Sequence, residues 1–136
     1  MSCFSFVFAA GNADEAKALV EKAAAFYKAN GKEKAFAEFS NPKGQFVKGE
    51  LYIFVNDLQG MTLAHGGNQK LVEKNVYELK DADGKQFIKE FTDVAKSKGS
   101  GWVDYKWTNP VTKKVDEKTT FVKKVDDFIF GCGIYK

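Results

Sequence analysis

The chain has 136 residues, of which 44% are apolar and 29% are charged, a composition typical of one soluble globular domain with enough chain to build a core. Its formal net charge of +3 is too small to indicate nucleic-acid binding. The sequence contains no arginine, so all 21 basic residues are lysines, and any anion site must use lysine, histidine, tyrosine or backbone N–H groups.

The first twelve residues form a segment of their own. Residues 3–10 are apolar and lead into small residues, as at the end of a secretory signal peptide with cleavage near Ala10 or Ala13. The basic start of such a peptide is missing, and an ordinary N-terminal extension that packs on the domain is the alternative interpretation. No stretch of the sequence is long and apolar enough to span a membrane.

The two cysteines are Cys3 and Cys132, and their spacing matches no zinc or redox motif. We expect Cys132 to be a small packed side chain in a strand. Because Cys3 belongs to a segment that export would remove, we expect no disulfide between the two.

Two helices are predicted after the terminal segment. Residues 13–30 repeat apolar side chains at helical spacing, with Asn12 or Asp14 as the N-cap and Gly31 as the stop. Residues 32–39 form a second, shorter helix. The apolar stripe of the first helix consists of Ala16, Leu19, Ala23, Phe26 and Tyr27.

A β-hairpin is predicted next. Residues 50–56 and 61–65 are rich in residues that favour strands, and residues 57–60 between them have turn chemistry. A long irregular connection follows His65, and residues 85–98 are predicted as a helix with an apolar side.

The C-terminal part is predicted as an antiparallel meander of three strands. Residues 101–107 provide the first strand and residues 118–135 the other two, with β-branched and aromatic residues throughout. Period two places Tyr105 and Trp107 on the same face of the first strand.

These elements predict an α+β domain over residues 13–136. Two strands from the hairpin and three from the meander give a five-stranded antiparallel sheet, with the helices on one side. The long N-terminal helix is expected to lie along this sheet, because its apolar stripe has nothing else to cover.

Four stretches of this sequence resemble a known family: YIFVNDLQGMTLAH, KNVYELKDADGKQFIKEF, GSGWVDYKWTNP and FVKKVDDFIFGCGIY. They are similar to single Cache domains of the second type, the PAS-like extracytoplasmic sensor domains of bacterial chemoreceptors and sensor kinases, which also occur as free-standing periplasmic proteins. The resemblance covers about residues 13–135. It implies a PAS-like sheet, a pocket between the sheet and the connection after His65, and a small ligand, often a short carboxylate.

Nothing in the sequence indicates an enzyme. His65 is the one histidine, and no metalloprotease, P-loop or dinucleotide motif is present. Asp81 and Asp83 resemble the start of a calcium loop, but the other ligand positions are missing, and a solvated turn is the simpler interpretation. We therefore expect no catalysis, no metal, no cofactor and no nucleic-acid partner.

The candidate ligand site is the aromatic side of the sheet beside His65. His65 ends a strand before a flexible turn and is placed to donate to an anion, or it is a surface residue. Lys123 shares a strand face with Phe121, where a buried ammonium needs a partner unless its stem carries it to water. The candidate contacts are Tyr52, Phe54, His65, Trp102, Tyr105, Trp107, Phe121 and Lys123.

Two functional hypotheses remain open, because aromatic stripes are usually core. In the first, a periplasmic domain binds a short carboxylate such as acetate, propionate, lactate or pyruvate. Lys123, His65 and the Tyr105 hydroxyl then replace the arginine that relatives often use, and the domain joins a membrane receptor or forms a homodimer through the N-terminal helix. In the second, the domain has a filled core and serves as a structural or protein-interaction module.

Overall fold

Two consecutive helices open the part of the chain that the computed structural model describes, residues 11–136. Helix α1 spans Ala13–Asn30 and helix α2 spans Lys32–Phe39, as predicted. Asn12 caps α1 in a reciprocal capping box: its side chain accepts from the Glu15 backbone N–H, and the Glu15 carboxylate accepts from the Asn12 backbone N–H.

Seven strands and one more α-helix follow. A small hairpin, β1 and β2, precedes the main sheet and was not predicted. It forms because Leu51 and Tyr52 pair with residues 47–48, which divides the predicted strand 50–56 into β2 and β3. The bounds are β1 Val47–Lys48, β2 Leu51–Tyr52, β3 Phe54–Asp57, β4 Thr62–His65, α3 Phe87–Lys98, β5 Ser100–Thr108, β6 Val115–Val125 and β7 Phe128–Tyr135, with a 3₁₀ helix at Gln69–Leu71.

The main sheet confirms the predicted five antiparallel strands. Its order is β4-β3-β7-β6-β5, and every adjacent pair is antiparallel. The chain also covers both outer edges. The Thr62 backbone N–H of β4 donates to the Lys74 carbonyl, and the Lys106 backbone N–H of β5 donates to the Asp81 carboxylate. These bonds satisfy backbone groups that an open sheet edge would expose.

Helices cover both faces of the sheet, not one face as predicted. On one face, α1 and α2 pack on a core that includes Val55 and Phe130. On the other, α3 packs on a core that includes Phe54 and Ile129. Neighbouring residues on one strand point to opposite faces, so two apolar neighbours require two cores. The face that a predicted ligand contact occupies decides whether it can belong to the same site as the others.

The register of β5, β6 and β7 assigns residues to these faces. Trp102 pairs with Phe121, whereas Tyr105 pairs with Lys118, and Lys118 pairs in turn with Tyr135. Paired residues share a face. Tyr105, Lys118 and Tyr135 therefore lie on the α3 face, and Trp102 and Phe121 lie on the α1 face.

The remaining expectations concern the terminal segment and the cysteines. Cys132 is buried, whereas Cys3 and the proposed signal segment lie outside the described residues. The absence of a disulfide thus stays a prediction. Within residues 11–136, no helix combines the length and apolarity that a membrane span needs.

A glycine in β7 makes room for an aromatic ring, and its replacement tests this packing. A Cβ at Gly131 would lie 2.2 Å from the Phe54 ring, so Gly131→Ala must displace that ring. We expect a loss of about 1–3 kcal/mol in unfolding free energy, measured by urea denaturation.

Gly101→Ala is the matched control for this substitution. Its added Cβ would meet a single methyl of Val94 at 2.8 Å, and Val94 is only half-buried. Gly101→Ala should therefore destabilise the domain less than Gly131→Ala. Equal losses would contradict the assigned packing of Phe54.

Candidate ligand-binding site

A small cavity lies between the sheet, α3 and the connection that follows β4. Its volume is about 20 Å³, the space of about one water molecule. The predicted residues Tyr52, Phe54, His65, Tyr105 and Trp107 all line it. The other lining residues are Asn56, Thr62, Leu71, Val76, Leu79, Phe87, Ile88 and Phe91.

Three predicted contacts, Trp102, Phe121 and Lys123, lie on the opposite face of the sheet. The rings of Trp102 and Phe121 are 5.5 Å apart and pack beneath α1. The Lys123 ammonium bonds the Glu21 carboxylate of α1 at 2.7 Å, and its side chain is about one-third exposed. The placement of Phe121 and Lys123 on the face of Tyr105 was wrong, because the pairing register puts Phe121 opposite Trp102. Trp102 lies on the other face of its strand from Tyr105, as period two predicts, and therefore does not reach the cavity with it.

The lysine on the cavity side is Lys118, which is not among the contacts predicted from the sequence. Lys118 is 1% exposed, and its Nζ donates to the Tyr52 hydroxyl at 2.8 Å. The ammonium also lies 4.4, 5.0 and 5.8 Å from the ring centres of Tyr52, Tyr135 and Tyr105, within range of cation–π attraction. Tyr52 and Tyr105 line the cavity, so Lys118 lies directly behind its aromatic wall.

Gly133 makes the position of Lys118 possible. Gly133 is on β7, the strand next to the β6 strand that carries Lys118, and a Cβ at Gly133 would come within 2.4 Å of the Lys118 Cε. The lysine stem thus crosses β7 where a side chain is missing. Period two within residues 118–125 places Lys118 on the face of Val122, but only the pairing with Tyr105 shows that this face holds the cavity.

The charge of Lys118 has no carboxylate partner among the described residues, since none of their ion pairs includes it. Burial lowers the pKa of Lys118 to about 7, against the opposing effects of Cys132 and Glu50. An ammonium prefers water or an anion to an apolar interior. Near neutral pH this lysine is therefore poised between its charged and neutral forms.

His65 is a neutral hydrogen-bond donor in this site. Its Nδ1 accepts from the backbone N–H groups of Gly67 at 3.2 Å and Asn68 at 2.8 Å, so the ring proton is on Nε2. Burial, assisted by the charge of Lys118, lowers the pKa of His65 to about 3. The imidazole thus remains uncharged in the folded domain at neutral pH.

The tyrosines of the site are neutral as well. Burial raises the pKa of both Tyr52 and Tyr105 far above the ordinary value. The Tyr105 hydroxyl is within 2.8 Å of the Thr120 hydroxyl, and its ring stacks on Phe87 at 4.3 Å. Tyr105 is accordingly fixed in place as part of the wall.

The Asp81-Asp83 turn is a structural feature of the edge of the sheet. The Asp81 carboxylate accepts from the backbone N–H groups of Asp83, Lys85 and Lys106, which lowers its pKa against the effect of burial. Within residues 11–136, no cluster of histidine, cysteine or acidic residues is suited to hold a metal.

The helices and the five-stranded antiparallel sheet define a PAS-like α+β domain, and comparisons with known proteins identify its family. A family model described as "Cache domain" matches residues 14–136. The chain therefore belongs to the Cache domain family, and the resemblance found in the sequence is confirmed.

Two curated relatives and a solved structure are similar to this chain. The methyl-accepting chemotaxis protein McpP of Pseudomonas putida is 29% identical and the sensor histidine kinase MctS of Rhizobium johnstonii 34% identical, each over 62% of this chain. The chain spans only 16% and 18% of their lengths. The solved structure, described as "Structural basis for carboxylic acid recognition by a Cache chemosensory domain", is 26% identical, with a TM-score of 0.75 over 90% of this chain and 91% of that one.

The depressed pKa of His65 predicts acid sensitivity. In the unfolded chain His65 binds a proton below its ordinary pKa of 6.5, whereas in the folded domain it does so only near pH 3. The stability that this residue contributes is therefore complete above pH 6.5 and is lost as the pH falls towards 3. At pH 4 the loss from this group reaches up to about 3 kcal/mol.

His65→Asn is the matched variant for this prediction, because an amide oxygen accepts a hydrogen bond from the same turn and does not titrate. Urea denaturation at pH 7 and pH 4 should show a smaller acid-induced loss of stability in His65→Asn than in the parent. Equal losses in the two proteins would show that His65 is not responsible.

Proposed function

We propose that this Cache domain is an extracytoplasmic sensing module that binds a monocarboxylate of about two to four carbons and is not an enzyme. The observation that carries the proposal is the buried ammonium of Lys118, which lacks a carboxylate partner among the described residues. Burying such a charge alone costs several kcal/mol. A ligand carboxylate supplies the missing counter-charge.

The donors for this carboxylate come from three elements. Lys118 on β6 provides the charge, the Tyr52 hydroxyl on β2 already contacts the ammonium, and the His65 Nε2–H on β4 is left as a donor by the bonds to Nδ1. Charge-assisted hydrogen bonds are the strong ones. Lysine in this set replaces the arginine that the sequence lacks.

The apolar part of the ligand contacts the rings of Phe87, Phe91 and Trp107, which also line the cavity. Each buried methylene contributes about 0.8 kcal/mol. The cavity of about 20 Å³ is smaller than any such acid, so its lining must shift on binding. The covering segment, residues 66–86, contains only one short 3₁₀ helix, and such segments open at low free-energy cost.

The comparisons support the sensing role and the ligand class. The curated relatives are a chemotaxis protein and a sensor kinase, and the similar solved structure is described as a case of carboxylic acid recognition by a Cache domain. By this analogy the domain lies in the periplasm and feeds chemotaxis or signal transduction within a membrane receptor. A homodimer through α1 stays a prediction from the sequence.

The alternative function is a structural or protein-interaction module without a ligand. The small volume of the cavity favours it. Thermal unfolding with acetate, propionate, lactate and pyruvate distinguishes the two functions, because a ligand at one hundred times its Kd stabilises the folded state by about 2.7 kcal/mol. If none of these acids shifts the transition at millimolar concentration, the alternative function is favoured.

Lys118→Met is the sharpest test of the proposed anchor. The substitution keeps an unbranched stem and removes the charge, so carboxylate affinity should fall roughly ten- to over a hundredfold, as expected for a loss of about 1.5–3 kcal/mol. The ligand-free variant should be at least as stable as the parent, because a buried unpaired charge has been removed. Isothermal titration calorimetry and urea denaturation measure the two effects.

Lys123→Met is the control for this experiment. It removes the same charge from the opposite face, where the ammonium pairs with Glu21 at a partly exposed site, and it should leave carboxylate affinity within about twofold. If the Lys118 variant binds as tightly as the parent, or the Lys123 variant loses binding to the same extent, Lys118 is not the anchor.

The pKa of Lys118 predicts a pH dependence of binding. Above its value of about 7, the lysine must take up a proton when the carboxylate binds, so affinity should fall as the pH rises and approach tenfold per unit. His65, Tyr52 and Tyr105 keep their neutral forms between pH 6 and 9. Calorimetry across that range checks the slope, and an affinity that does not change between pH 7 and 9 would contradict it.

A further inference from the structure

Glu50 is a buried carboxylate with one oxygen in use and one without a partner. The residue is 9% exposed and lies immediately before β2. Its Oε2 accepts from the Asn109 side-chain amide at 2.8 Å. Its Oε1 is buried, and no donor from the described part of the chain lies within hydrogen-bonding distance of it. Buried acceptors of this kind are rare in native structures and costly when charged.

Glu50 lies at the same end of the sheet as the Lys118 ammonium. It is two residues before Tyr52, whose hydroxyl bonds Lys118. Its partner Asn109 follows Thr108, whose carbonyl accepts from the Tyr135 hydroxyl at 2.8 Å. The negative charge of Glu50 raises the pKa of Lys118, although less than burial lowers it.

These two residues carry opposite charges and do not pair with each other. Among residues 11–136, the buried carboxylate, lysine and histidine side chains are Glu50, Lys118 and His65, and His65 is neutral. Glu50 and Lys118 are therefore the buried charges, and no ion pair joins them. A buried pair of opposite charges is stable only when the two are matched and hydrogen-bonded. Among the described residues, the Lys118 ammonium donates to the Tyr52 hydroxyl but has no ion pair. The Oε1 atom of Glu50 accepts no hydrogen bond there.

We propose that Glu50 is a specificity-determining residue that selects a carboxylate with a hydrogen-bond donor on the adjacent carbon. This inference rests on the proposed function, in which Lys118 holds the ligand carboxylate. Glu50 Oε1 then accepts from a hydroxyl or ammonium group on C2 of the ligand. The two donors differ in charge: a 2-amino acid keeps the buried cluster neutral, whereas a 2-hydroxy acid adds one negative charge.

Three acids of equal carbon skeleton test the inference. Propionate, L-lactate and L-alanine differ at C2 only, in carrying hydrogen, hydroxyl or ammonium. We expect calorimetry with the parent domain to show at least tenfold tighter binding of lactate, alanine or both than of propionate, as expected for one hydrogen bond to a charged acceptor. The comparison of lactate with alanine identifies which donor the site accepts.

The substitution Glu50→Gln tests whether Glu50 causes the preference for an acid with a donor on C2. The amide keeps the shape and can still accept from Asn109, but it removes the charge. The preference for the donor-bearing acid over propionate should fall at least fivefold. The ratio of the two affinities is the readout, because removing the Glu50 charge also lowers the pKa of Lys118 and thereby affects the binding of all three acids.

The outcomes separate this inference from the proposed function. If propionate binds the parent as tightly as lactate and alanine, or if Glu50→Gln leaves the preference unchanged, the role of Glu50 is overturned and carboxylate binding by Lys118 stands. If none of the three acids binds the parent, both the inference and the proposed function are overturned. The comparison among ligands uses the parent alone, so it remains decisive if the variant does not fold.

Discussion

The burial of the Lys118 ammonium against the Tyr52 hydroxyl is the interaction on which the site depends. Removing a charge from water is unfavourable unless other groups replace the solvation, and here one hydroxyl and three aromatic rings do so in part. The charge also helps to keep His65 neutral. The site therefore combines one cation with neutral donors, and this combination is the basis of the proposed carboxylate binding.

Two glycines of β7 allow this arrangement inside a well-packed sheet. Gly131 accepts the ring of Phe54 over its backbone, and Gly133 accepts the stem of Lys118. The opposite face of the same strand carries Phe128 and Phe130, which contact Tyr27 of α1 with ring centres 5.9 and 5.6 Å apart. β7 thus lies between the candidate site and the long N-terminal helix, with side chains of both cores packed directly against it.

The exposure of the two lysines of β6 decides their roles. Lys123 pairs with Glu21 at the surface, where solvent weakens the interaction and an exposed pair contributes little. Lys118 is almost fully buried, where the same charge interacts strongly with any group that reaches it. The two lysines are an odd number of positions apart on one strand, which sends them to opposite faces. Residue type alone does not distinguish the two lysines.

The sequence by itself determined the helices, the five antiparallel strands and the family, and it grouped part of the candidate site, because these depend on local periodicity, turn chemistry and recognisable segments. It placed Tyr52, Phe54, His65, Tyr105 and Trp107 in one group, and the structure brings them together around the cavity. Only the tertiary structure decided that both faces of the sheet are covered and that Lys118 rather than Lys123 is beside the cavity. The physical reason is the register: strand periodicity defines two faces for each strand, but the pairing of Tyr105 with Lys118 determines which faces coincide.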